Sequence, residues 1–369
     1  MSTASAPRPA RLARLRAFLA RPVVRRVAAV LLVVLLAVLP LLNLTIPGVL
    51  PGPTYTPGTL QLLALGLLFA ALALSYHVLF GATGLLSFGH ALYFAIGAYG
   101  LGIVLESTEL PLVPAIGVVL VAALVIAAAL GAISLRVTGI SFAMVTLAFA
   151  QAGSVLIRRS PAVTGGDEGL PLAVEHIPGF FVGVLNTRNL YWLALAVAVV
   201  VFLLVGWFER SRAGHVAHAV RENETRVRVL GMRPFTVKLI AFVVGSVLAA
   251  LVGTAYLLLQ SGVNPRAASS DFTLTILVIV VLGGVGSRWG AVIGGIVYTL
   301  LDQRLTALAS SDAIDALPDV LRVPLSEPLF LLGTLFILVV LFLPGGIVGL
   351  TRRGRRAESA ARDELEEVA

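Results

Sequence analysis

Cysteine is absent from this 369-residue chain, which excludes disulfides, thiolate metal sites and cysteine nucleophiles but leaves the compartment open. Lysine is almost absent as well, Lys238 being the only one. It lies in "PFTVKL", away from any glycine-rich loop, and a nucleotide-binding P-loop needs a lysine against the phosphates. The chain therefore carries no such ATPase site. Charge is scarce too, at 12% of residues where soluble domains carry about 25%. The acids fall mostly in loops, and no catalytic triad, metal-ligand cluster or paired-carboxylate site emerges. Among the five histidines, His77, His176, His215 and His218 form no ligand constellation around His90. No catalytic residue, no metal ligand and no cofactor of its own is expected.

What fills the sequence is apolar: 58% hydrophobic residues and a mean hydropathy of +0.99 describe an all-α integral membrane protein. A span takes roughly 20 apolar residues, and the apolar runs are 27–42, 60–80, 85–105, 112–135, 140–157, 190–208, 239–259, 272–285, 289–308 and 329–350. A polytopic bundle of about ten transmembrane helices follows, with the short 272–285 run tilted or re-entrant. The domain plan is a basic tail over 1–26, a transmembrane region over 27–350 and a tail over 351–369.

Orientation comes from the arginines. Arg8, Arg11, Arg14, Arg16, Arg21, Arg25 and Arg26 precede the first run, and Arg352, Arg353, Arg355 and Arg356 follow the last. Acids collect in the loops of the other side: Glu106, Glu109, Asp167, Glu168, Glu175, Asp271, Asp312, Asp315, Asp319 and Glu327. The positive-inside bias puts both termini in the cytoplasm, with Arg158 and Arg159 as exceptions on the outside. "LLNLTIPG" offers no small-x-small cleavage site, so the first run is an uncleaved span rather than a signal peptide. The net charge of +8 is distributed by membrane side, not gathered on a groove-binding element, and nucleic acid is not a partner. Abundant arginine and alanine beside so little lysine suggest a bacterium with GC-rich DNA, hence a bacterial inner (plasma) membrane.

The polar exception is the loop 209–238, "ERSRAGHVAHAVRENETRVRVLGMRPFTVK". Val216, Val220, Val227 and Leu230 recur at helical spacing, with Arg221, Glu222, Glu224, Arg226 and Arg228 on the other faces. Gly231 and Pro234 terminate the pattern, which predicts one amphipathic helix over about 214–230. The stripe is narrow and built of valine, and Glu222 and Glu224 would face repelling lipid phosphates. A protein partner suits it better than anionic lipid.

This run resembles the cytoplasmic signature of the permease subunits of branched-chain amino-acid ABC importers, a family that also includes urea and short-amide permeases. Other stretches similar to that family are "GLLSFGHALYFAIGAYG" (84–100), "GISFAMVTLAFAQ" (139–151), "TGGDEGL" (164–170) and "VVLGGVGSRWGAVIGG" (280–295). The resemblance covers roughly residues 60–350 in consistent order. It implies a cytoplasmic coupling helix, with Arg221, Glu222, Asn223, Glu224, Val227, Leu230 and Gly231 docking on a separate ATPase: charges pairing, valines filling its groove. It also implies a second, homologous permease, two ATPase subunits that consume the ATP, and an extracytoplasmic solute-binding protein. Branched-chain amino acids are the default substrate, with urea, amides or other small polar solutes open.

Ser87, Gly89 and His90 are candidate pathway residues, since ionisable groups at membrane depth are costly and face a cavity or a partner. A histidine bonded to a neighbouring helix is the competing reading. Thr164, Gly165, Gly166 and Asp167 are candidates for an outer gate or a contact with the delivering protein, against the alternative of a solvated turn. Gly97, Gly100 and Gly102, and Gly286, Gly290 and Gly294, have the spacing that lets helix backbones approach, the alternative being that they let broken helices expose backbone groups to a substrate at mid-membrane. Residues 81–84 and 283–286 both fall at cytoplasmic turns, which hints at a repeated unit. An ion-gradient-driven secondary transporter is the alternative function. It needs carboxylates within the spans, where only Asp302 and Glu106 lie, near span ends.

Overall fold

The computed structural model describes residues 22–46, 50–309, 322, 326–342 and 345–349. The expected tails, up to residue 21 and from 351 to 369, lie outside the described residues, as do Asp312, Asp315 and Asp319. The regular structure of the described residues is helical apart from one two-residue ladder. In order, the helices are α1 (Pro22–Val38), α2 (Pro57–Tyr76), α3 (His90–Ser107), α4 (Leu112–Ser134), α5 (Ile140–Arg159), α6 (Thr187–Arg210), α7 (Arg212–Glu222), α8 (Glu224–Val229), α9 (Pro234–Gln260), α10 (Ser270–Gly283), α11 (Arg288–Ala309) and α12 (Pro328–Phe342). Prolines open α2 and α9, where a missing N–H costs nothing and the fixed φ suits a first turn.

Helix α2 is the centre of the bundle. It runs on through a π-helical turn, His77–Thr83, and 83% of its span is buried, against 22% for α4 and 28% for α5. Around it pack α6, α9 and α11, while α3 lies along α9. Aromatic edges knit the interior, with Phe94 5.1 Å from both Tyr256 and Phe272. The ladder pairs Leu170 with Val263 and Pro171 with Gly262, antiparallel.

Each expected apolar run carries a helix, but among the described residues five are long and apolar enough to cross a membrane, six if a bent pair counts as one span. That pair is α10 and α11, bent by 117°. The runs 272–285 and 289–308 are thus joined by a sharp break, because Gly284 and Gly286 take positive φ (114° and 86°) that no helix continues through.

The expected span 85–105 also changes. Gly84 (φ 72°) ends the π turn, residues 85–89 are non-helical, and α3 begins only at His90. Backbone away from water needs partners, and side chains supply them here. Phe88 N donates to Thr146 Oγ1 of α5 at 3.1 Å, Gly89 N to Ser87 Oγ at 3.2 Å, and Ala91 N to Thr273 Oγ1 of α10 at 3.0 Å. Asp271, expected in an outer loop, stands instead in the first turn of α10, one residue past its start.

Candidate functional site

The polar loop folds as two helices rather than the single one predicted. Ser211 caps α7, accepting from Gly214 N at 3.1 Å. Asn223 breaks the run in extended backbone (φ −160°, ψ 99°) and caps α8, accepting from Arg226 N at 2.9 Å. A short side-chain amide that satisfies an orphan N–H favours such a break over continued helix. Gly231 closes α8 as its sequence position promised. With φ 78°, it donates to Arg228 O at 2.9 Å while Met232 N donates to Val227 O at 3.3 Å, the paired bonds of a left-handed helix stop.

The buried stripe is Gly214, Ala217, Val220 and Val227. Val220 and Val227 therefore fill this chain's own interior and are not free to fill a partner's groove. The most exposed apolar side chains of the loop are Val229 (82% exposed) and Leu230 (68%), with Met232 and Phe235 exposed to a lesser degree. Glu222 and Arg226 are exposed beside them. Glu224, expected to pair with a partner, is held internally by Arg228 at 2.7 Å and Lys238 at 2.6 Å. Burial works to raise its pKa, but the hydrogen bonds from Lys238 and Arg228 outweigh it and leave it below the carboxylate's ordinary 4.5. A depressed carboxylate stabilises above its unfolded pKa and loses that contribution as pH falls through the folded value. Amide protection in α8, taken relative to the intrinsic exchange rate at each pH, should thus fall only at pH below the ordinary carboxylate range. Glu224→Gln should abolish that pH dependence of the protection.

Arg221 is exposed, but its guanidinium reaches back across the chain. Its Nη1 donates to Gly81 O in the π turn of α2. A methyl built on Gly84 would stand 3.1 Å from Arg221 Cγ, and one on Gly286 3.2 Å from Arg221 Nη1. One side chain of the polar loop is thus wedged between the two glycine turns, 81–84 and 283–286, that the sequence suggested were equivalent. A second tie lies beside it. Glu209, at the end of α6, bonds His77 Nε2 at 2.9 Å and Arg288 Nε at 2.6 Å, with the His77 side chain only 1% exposed. Burial lowers the pKa of the neighbouring His218, against the pull of the Glu209 carboxylate. The residues Glu209, His77 and Arg288 were missed as a group from sequence. Their signal was an acid closing the apolar run 190–208 and a base in "GSRWG", but nothing in the spacing pairs them.

The interior candidates form a joint at the start of α3. His90 is fully buried, its Nε2 2.8 Å from Ser75 Oγ and its ring edge-on to Tyr76 at 5.1 Å. Ser87 O accepts from Tyr76 OH at 3.0 Å. A Cβ on Gly89 would stand 2.6 Å from Thr146 O, so only glycine lets α5 approach here. These residues hold α2, α3 and α5 together.

The outer candidates are bolted down as well. Thr164 Oγ1 donates to Ser160 O at 2.8 Å, and Gly165 and Gly166 are left-handed (φ 71° and 58°). Leu170 fills the notch left by Gly102 on α3, where a Cβ would come 2.6 Å from its Cδ2. Asp167 is exposed, 3.9 Å from Arg158. An open cleft of about 490 Å³ lies between this loop and the 260–264 segment, lined by Glu168, Pro171, Tyr256, Gln260 and Asn264. The sequence-derived sites thus fall in three places, the polar loop, the α3 joint and the outer loop, with α3 running between the last two. Among the described residues no group of three or more His, Cys, Asp or Glu is placed to hold a metal ion.

Comparison with known proteins bears on this arrangement. The family model described as branched-chain amino acid transport system / permease component matches residues 58–341. The permease protein LivM of the high-affinity branched-chain amino acid transport system of Escherichia coli (strain K12) is 26% identical over 332 residues, covering 82% of this chain and 73% of LivM. LivH, a permease protein of the same system in that strain, is 25% identical over 307 residues, covering 77% of this chain and 92% of LivH. BraD of Pseudomonas aeruginosa, likewise named a permease protein of such a system, is 25% identical over 308 residues, with coverages of 78% and 93%. With the match running through the central helix, the polar loop and both glycine turns, the chain belongs to the family of branched-chain amino acid transport system permease components.

Proposed function

We propose that this chain is a multi-pass permease subunit of an ATP-driven importer in the bacterial plasma membrane, both termini cytoplasmic, passing branched-chain amino acids or similar small polar solutes inward. It works beside a second, homologous permease. Two cytoplasmic ATPases consume the ATP, a solute-binding protein delivers substrate from outside, and the chain itself needs no cofactor. The paired α7–α8 segment is its coupling element, and about ten membrane crossings, some of them broken, make up the bundle. The observation that carries this reading is the seating of Arg221 between the 81–84 and 283–286 turns. A displacement of α7–α8 by an ATPase would be delivered to both turns at once, as a rigid lever requires.

The surface offered to the ATPase is Glu222, Arg226, Val229 and Leu230, exposed on one loop. Reversing the charge at Glu222 should therefore weaken the contact through which substrate stimulates hydrolysis and hydrolysis drives uptake. In vesicles holding the second permease, both ATPases and the binding protein, Glu222→Arg should lower substrate-stimulated ATPase and leucine uptake together, about tenfold, the scale of one lost charge pair in a desolvated contact. Wild-type uptake that persists without ATP and collapses with an ionophore would instead make the chain a secondary transporter.

A further inference from the structure

Helix α5 is a 20-residue segment apolar enough to cross a membrane, yet most of it is not covered by the rest of the chain. Its outward face carries Met144, Ala148, Gln151 and Val155, a single helical stripe with one polar member. Gln151 stands near the middle of the helix, roughly 12 Å from the nearer end at about 1.5 Å per residue. Its Nε2 donates to Ser270 Oγ at 2.9 Å, which fixes the start of α10 at the same depth. Asp271 follows, exposed, with no ion pair among the described residues. One turn on, Thr273 receives Ala91 N at the late start of α3. Helices α3 and α10 thus begin at one level beside a polar patch on an otherwise apolar outer face.

An amide and a carboxylate turned toward lipid at that depth are costly, and such groups face water or a partner. Helices broken near mid-depth are where membrane transporters hold their substrates. Two permease proteins of one transport system, LivM and LivH, are both similar to this chain, so a second permease is at hand to cover the α5 face. We propose that Gln151, Ser270 and Asp271 form a substrate subsite on the translocation path between the two permeases. It takes the charged head of a zwitterionic amino acid. Asp271 accepts from the ammonium group, the Ser270 hydroxyl and the remaining Gln151 N–H donate to the carboxylate, and the apolar side chain rests on Met144 and Ala148. This rests on the import reading above.

The cysteine-free sequence makes the test direct, because Gln151→Cys introduces the chain's sole thiol. In the assembled transporter in vesicles, a charged, membrane-impermeant thiosulfonate should label that thiol, and excess leucine should slow the labelling. Gln151→Leu and Asp271→Asn should each cut leucine uptake about tenfold at low substrate, the scale of one hydrogen bond to a charged group. Asp271→Glu should retain part of it, and co-purification with the ATPases should be unchanged. Labelling only by a lipid-soluble maleimide, no protection by leucine, or wild-type uptake in both variants overturns the subsite while the wild type still imports on ATP. A wild type that does not import on ATP overturns the import reading and the subsite with it.

Discussion

Arg221→Ala will cut ATP-driven uptake at least tenfold while the ATPases continue to hydrolyse at their unstimulated rate and the complex still co-purifies. The guanidinium donates to Gly81 O and packs between Gly84 and Gly286. Its loss leaves the part-buried Gly81 carbonyl without that donor, a net cost of about 1 kcal/mol, and opens a gap where two turns met one side chain. The α7–α8 segment remains capped by Ser211 and Asn223, so it can still dock. On the proposed coupling role, what it loses is the means to move both turns together. Arg221→Lys should fall between alanine and wild type, since an ammonium can reach Gly81 O but cannot span the wedge as a planar fork does. Arg221→Ala with wild-type uptake and wild-type stimulated hydrolysis would remove this residue from the transmission route.

Gly97→Ala will destabilise the bundle more than any surface change. A Cβ on Gly97 would overlap the Ala250 carbonyl of α9, and one on Gly253 of α9 would overlap the Phe94 carbonyl of α3. The obstructing atoms are backbone, which no rotamer change can move aside, so the two helices must separate along their contact. Overpacking of this kind costs about 1–3 kcal/mol and occasionally more, and here both helices also position the α3 joint. Gly117→Ala is the matched control, because a Cβ there meets nothing within 4 Å. The measurement is the thermal midpoint of the detergent-purified protein, where Gly97→Ala should fall by several degrees and Gly117→Ala should not move. Equal midpoints would refute the close approach.

Much of this fold is legible in the sequence because helix in a membrane is forced by the backbone's need for internal hydrogen bonds. The runs 112–135, 140–157 and 190–208 became α4, α5 and α6 nearly as written, and Gly231 ended its helix where a left-handed residue was needed. The breaks were harder to see. Nothing in "GLLSFGHALYF" reveals that α3 waits until His90, since the donors of residues 88, 89 and 91 are satisfied by Thr146, Ser87 and Thr273, two of them far along the chain. The loop valines misled for a related reason. Helical spacing says which side chains share a face, but not whether that face is covered by the same chain, as it is for Val220 and Val227.

Composition by itself determined that this chain lives in a bilayer as a helical bundle, and that its polar loop stands apart. These follow from local rules: apolar length, charge bias and capping, each readable within a window of residues. Only the tertiary structure decided that Arg221 lies against two glycine turns and that Glu209 joins His77 to Arg288. It also decided that Gln151 meets Ser270 on an uncovered face. Each of these joins residues 65 or more positions apart, and such pairs are set by how helices pack, which no single segment encodes.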